Sequence, residues 1–150
     1  MSTKSQSVFR RLHAVAGGVA FMLIASFWLA TIAVELFGTG PQIAAVKLVI
    51  AWGLCALVPA LAATGASGFK LTRGRISGKV ATKFRRMKFI AANGLLVLAP
   101  SAIALAILAD AGRLDGLFAV IQSIELVAGF VNLVLIGLNI RDGIRMRRPS

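Results

Sequence analysis

Residues 12–37 read LHAVAGGVAFMLIASFWLATIAVELF, a run of 26 in which Glu35 is the only Asp, Glu, Lys or Arg. A helix rises about 1.5 Å per residue, so roughly 20 predominantly apolar residues cross a hydrocarbon core about 30 Å thick. The stretch is long enough to span. Three more segments share its character, Ile43–Gly65, Phe89–Asp110 and Leu117–Ile140. Together they raise the apolar share of the chain to 58%, above the roughly 45–50% of soluble domains. Lipid offers no partner to an unpaired amide, so only helices and closed barrels span it. A barrel would show alternating segments of about ten residues, and these long Ala/Leu/Val/Ile runs do not alternate. The expected fold is an all-α integral membrane protein. It has four transmembrane helices in an antiparallel bundle, one domain over residues 1–150, with a basic loop at 66–88.

The formal net charge is +12, from 17 Lys and Arg against 5 Asp and Glu. On a soluble chain that balance would point to nucleic acid. Here position decides otherwise, and no nucleic-acid partner is expected. Lys4, Arg10 and Arg11 precede the first segment. Lys70, Arg73, Arg75, Lys79, Lys83, Arg85, Arg86 and Lys88 lie between the second and third, and Arg141, Arg145, Arg147 and Arg148 follow the fourth. Only Lys47 and Arg113 belong to the opposite side. The positive-inside rule places both termini and the middle loop in the cytoplasm, for a multi-pass protein of a bacterial-type cytoplasmic (inner) membrane. The same clusters suit anionic headgroups of the lipid bilayer. The first apolar run exceeds the roughly 7–15 residues of a signal-peptide core, so cleavage is not expected. Cys55 is the single cysteine, and a buried, purely hydrophobic role is expected for it.

An offset of 75 residues aligns Phe9-Arg10-Arg11 with Phe84-Arg85-Arg86, Ser26 with Ser101 and Glu35 with Asp110. Each half then reads as a basic anchor, a helix, an acidic end, a short turn and a second helix, as in two related helical hairpins. The turns Gly38–Pro41 and Ala111–Gly116 are short enough to make their helices antiparallel neighbours. In the longer loop Gly65, Gly68, Gly74 and Gly78 interrupt the pattern. Val80, Phe84 and Met87 beyond them have the spacing of an interfacial helix. Pro59 and Pro100 fall inside apolar segments and predict kinks.

Polar side chains in lipid turn toward the bundle interior. His13, Gly17, Ile24, Trp28, Thr31 and Glu35 form one stripe at helical spacing; Gln122, Glu125, Gly129, Asn132, Ile136 and Asn139 form another. Counting rise from the short-turn end puts Lys47 level with Thr31 and Gln122, within reach of Glu35 or Glu125. Glu35, Lys47 and Glu125 therefore form an expected intramembrane charge cluster, either a structural ion pair or a proton- or cation-handling site. Gln122, Asn132 and Asn139 supply interior hydrogen bonds. His13, the only histidine, shares a depth with Met87 and Asn139. Histidine and methionine sulfur are both axial haem ligands, so a haem b held by His13 and Met87 is one reading. A headgroup or Asn139 hydrogen bond is the other. The chain carries no Walker A, HExxH or GxSxG pattern.

The octet Arg11-Leu12-His13-Ala14-Val15-Ala16-Gly17-Gly18 resembles the opening of small four-helix membrane families with a histidine near the first helix start. These are the copper-resistance D-like proteins and the haem-binding membrane protoporphyrinogen oxidases. The resemblance covers one helix and implies haem chemistry, but the second histidine of such sites has no counterpart here. The function expected is a small non-enzymatic subunit or assembly partner of a membrane redox or respiratory complex. The alternatives are a haem- or quinone-associated electron-transfer protein using His13, and a small oligomeric transporter or proton- or ion-conducting protein using Glu35, Lys47 and Glu125. A membrane-protein partner or a homo-oligomer follows from each.

Overall fold

The computed structural model describes residues 3–72 and 78–145. Arg73, Arg75, Arg147 and Arg148 lie outside them, as do the side chains of Lys4, Lys79 and Val80. The described chain is all-helical: α1 Thr3–Phe37, α2 Gly40–Thr72, α3 Gly78–Asn93, a π turn Gly94–Leu98, α4 Ala99–Asp110 and α5 Gly116–Arg145. The segment from α3 through the π turn to α4 is one continuous rod, so four helices are long and apolar enough to cross a membrane. Around the bundle α1 packs on α2 and α5, and the α3–α4 rod packs on the same two. Short turns at 38–39 and 111–115 make α1–α2 and α4–α5 antiparallel hairpins.

Each helix runs past the boundary drawn from hydropathy. The loop expected at 66–88 is helical over all its described residues, because α2 continues to Thr72 and α3 starts at Gly78. An apolar window marks only the part of a helix that lipid can cover. Beyond it the backbone keeps its hydrogen bonds while Lys and Arg extend toward the polar layer. Lys70 lies over the Phe9 ring at 4.8 Å and Lys88 over Phe84 at 5.6 Å. The expected interfacial helix at 80–87 is thus the first half of the third rod. Gly65 and Gly68 do not stop α2; a helical glycine costs only about 1 kcal/mol, and His13 packs directly on Gly68.

Local chemistry sets the turns. The Thr39 N–H donates to Gln42 Oε1 at 2.8 Å, half of a capping box at the start of α2. Asp115 Oδ1 accepts from the Leu117 and Phe118 N–H groups at 3.1 and 3.3 Å and caps α5. Gly112, at φ +69°, closes α4, and the Arg113 N–H returns to Leu108 O at 2.8 Å. In the third rod the ring of Pro100 removes one N–H and crowds the carbonyl four residues back. The helix widens into the π turn just before it, where the Ala99 N–H reaches Gly94 O.

The burial pattern is inverted relative to a water-soluble bundle. Phe37, Trp52 and Leu96 are 86, 70 and 72% exposed, whereas Lys47 and Asn132 are 0% exposed. In water the outer apolar surface would drive association; a lipid surround accepts it and leaves polar groups to pair inside. Interior packing centres on two clusters, Ala20, Ile24, Leu57, Ile90 and Ile136 toward the basic end, and Leu105, Ala109 and Phe118 toward the other. Cys55 is free and exposed on the outside of α2, not buried as expected. An apolar thiol has no need of the interior when its surroundings are themselves apolar.

Candidate functional site

Two polar constellations occupy the bundle at different depths. The first lies toward the short-turn end. Lys47 Nζ donates to Glu125 Oε2 at 2.9 Å and to Thr31 Oγ1 at 3.3 Å. Gln122 Nε2 donates to the same carboxylate oxygen at 3.2 Å. One turn of α1, the start of α2 and one turn of α5 are thereby tied through a single ammonium. Glu35 stays outside this bridge: among the described residues it forms no salt bridge, and its Oε1 is buried without a hydrogen-bond partner, as is Gln122 Oε1. A cavity of about 60 Å³ flanks Thr31, Trp28 and Glu125. Chemically, the constellation is a neutral ion pair with a second carboxyl beside it.

Below it, four further bonds cross between rods. Trp28 Nε1 donates to Leu126 O at 3.0 Å. Asn93 Nδ2 donates to Asn132 Oδ1 and to Ala128 O, each at 3.0 Å, and Asn132 Nδ2 reaches Ile90 O at 3.3 Å. Asn93 was not singled out in the sequence. It ends a basic helix just before the π turn, where its side chain meets α5.

The second constellation is at the basic end. A crevice of about 440 Å³ opens between the rods, with His13, Met87, Lys83, Lys88 and Asn139 among its lining residues. His13 Nδ1 lies 3.0 Å from Thr64 O and 3.3 Å from Ser67 Oγ. The Ser67 hydroxyl proton is committed to Ala63 O at 2.6 Å. A carbonyl oxygen only accepts, so Nδ1 carries a proton and donates to Thr64 O. Thr64 and Ser67 escape a sequence search because they sit in the small-residue run Thr64-Gly65-Ala66-Ser67-Gly68; its helical spacing opposite His13 was the available signal. Met87 adjoins His13: a Cβ placed on Gly68 would meet His13 Cε1 at 3.2 Å and Met87 Cε at 3.5 Å. Asn139 is 7% exposed and its Oδ1 has no hydrogen-bond partner. Just beyond, Arg86 pairs with Asp142 at 2.7 Å and ties α3 to α5.

The structure thus brings His13, Met87 and Asn139 to one crevice, and Lys47 to Glu125, Thr31 and Gln122. It keeps Glu35 out of the bridge and puts Asn132 in a separate link. Among the described residues no three His, Cys, Asp or Glu side chains gather to hold a metal ion. No protein-family model, curated protein or solved structure matches the chain. What fold and site define together is a class: a small, multi-pass helical membrane protein with a polar-ended crevice at its basic end.

Proposed function

We propose that the chain is a non-enzymatic subunit of a larger redox or respiratory complex in a cytoplasmic (inner) membrane, and that it contributes a bound membrane amphiphile to that complex. The crevice carries this reading. It has the volume of a small-molecule site. Its walls are apolar except for His13, Thr64, Asn139 and the lysines. A molecule that fits it is itself half apolar and half polar, and is drawn from the leaflet alongside. Both termini face the cytoplasm, since Lys and Arg concentrate at the crevice end of the bundle. The test is mild-detergent extraction from the native membrane, followed by native mass spectrometry. The expected result is a stoichiometric membrane-protein partner and a retained amphiphile. A lone chain without either refutes the proposal.

A second reading, haem b association through His13 and Met87, is favoured by one observation. A ligating histidine usually donates its other ring N–H to a carbonyl, which is how His13 treats Thr64 O. The absorption spectrum of freshly extracted protein decides: a Soret band lost in His13→Ala and shifted in Met87→Leu supports haem, and a featureless visible spectrum removes it.

A further inference from the structure

We infer that the crevice takes a single-chain acidic phospholipid, a lysophospholipid, with its phosphate at the lysines, its glycerol hydroxyl on Asn139 and its acyl chain running inward. The inference rests on the amphiphile reading above and names the ligand class.

Shape comes first. On α5 the lining runs from Ile136 to Ile144, eight residues or about 12 Å along the axis. Half of a hydrocarbon core is about 15 Å. The occupant therefore lies along the helices within one leaflet, its polar end at the basic mouth. Glycines make the trough: a Cβ added at Gly18 or Gly65 would meet nothing within 4 Å.

Polarity then selects the head. Lys83 Nζ lies 3.1 Å from the point where a Gly143 Cβ would sit, and Lys88 also lines the crevice, so the mouth is cationic. Asn139 precedes Gly143 by four residues, on the same face and about 6 Å deeper. Its buried Oδ1 is an acceptor without a donor. The matching ligand carries an anion at the mouth and a hydroxyl a few bonds further in. A lysophospholipid has both, a phosphate and the glycerol hydroxyl freed by loss of one chain. A diacyl phospholipid has esterified that hydroxyl, so between its phosphate and its chains it offers only acceptors. A fatty acid spends its one polar group on the lysines. A quinol supplies hydroxyls but no anion.

The experiment titrates the full-length protein in detergent with four probes: lysophosphatidylglycerol, diacyl phosphatidylglycerol, lysophosphatidylcholine and a short-chain quinol. Lysophosphatidylglycerol should bind at least about tenfold tighter than each of the others. Asn139→Leu should remove its advantage over the diacyl lipid, and Lys83→Gln with Lys88→Gln its advantage over lysophosphatidylcholine. Gly18→Leu fills open space in a helix and keeps the fold, read as an unchanged thermal transition, while abolishing binding. If the diacyl lipid or the quinol binds as well or better, and Gly18→Leu still blocks it, the lysophospholipid assignment fails while the amphiphile reading stands. If no probe binds, or Gly18→Leu leaves binding unchanged, both fail.

Discussion

Lys47 is the most buried charge among the described residues, and its partner could be narrowed but not chosen from the sequence. Depth counting leaves Glu35 and Glu125 both within reach of its stem. The bond goes to Glu125 Oε2 at 2.9 Å because α5 presents that carboxylate to the interior beside Gln122. Removing one member strands the other's charge, which in buried pairs costs about 3–5 kcal/mol, whereas replacing both with apolar residues is close to neutral. Lys47→Met should therefore lower unfolding stability in mixed micelles by about 3 kcal/mol. Lys47→Met with Glu125→Leu should recover most of it. Equal losses in the single and double variants would show that the pair is not the tie described. Asp115, in the exposed turn, behaves differently. Bonds from the Phe118 N–H, and then from Arg113, hold its carboxyl below the usual aspartate value of 3.8. Its contribution to stability is complete above that value and is lost as pH falls through the lowered one. Asp115→Asn keeps the cap and should flatten this acid-side decline in a thermal-unfolding series.

Among the helices, contact between α1 and α2 depends on absent side chains. A Cβ on Gly53 would run into the Phe27 ring, so Gly53→Ala forces the ring or the rods apart. Overpacking of this kind costs about 1–3 kcal/mol. Gly137, with nothing within 4 Å, is the internal control: Gly137→Ala should be neutral or slightly stabilising. If both variants melt alike, the close approach is wrong. Helix existence was readable here because residues such as those of 12–37 contain nothing that could end a helix in lipid. Helix ends were not, since the boundary of an apolar run is not the boundary of a backbone. The third rod shows the other limit. Pro100 predicted a kink, but the π turn before it and the bonds of the neighbouring Asn93 to Asn132 and Ala128 depend on what α5 offers in return. The halves aligned by the 75-residue offset differ at the same level, with Glu35 half-buried and Asp110 exposed.

For the molecule as a whole, the arrangement makes a topological prediction. In a Cys55→Ser background, cysteines placed at Ser5 and Arg85 should react with an impermeant thiol reagent from one side of the membrane. A cysteine at Arg113 should react from the other. Labelling of Arg85→Cys from the Arg113 side would overturn the proposed orientation and the cytoplasmic mouth of the crevice with it. Composition alone determined that this chain is helical and suited to lipid, because apolar run length and charge placement act through solvent transfer and need no neighbours. The spacing of Gln122, Asn132 and Asn139 likewise put them on one helical face. Only the tertiary structure decided which carboxylate holds Lys47, that His13 Nδ1 donates to the Thr64 carbonyl, and that glycines from several rods open a crevice ending on Asn139. Those outcomes depend on distances of a few ångströms between helices remote in sequence, and such distances are set when the rods pack.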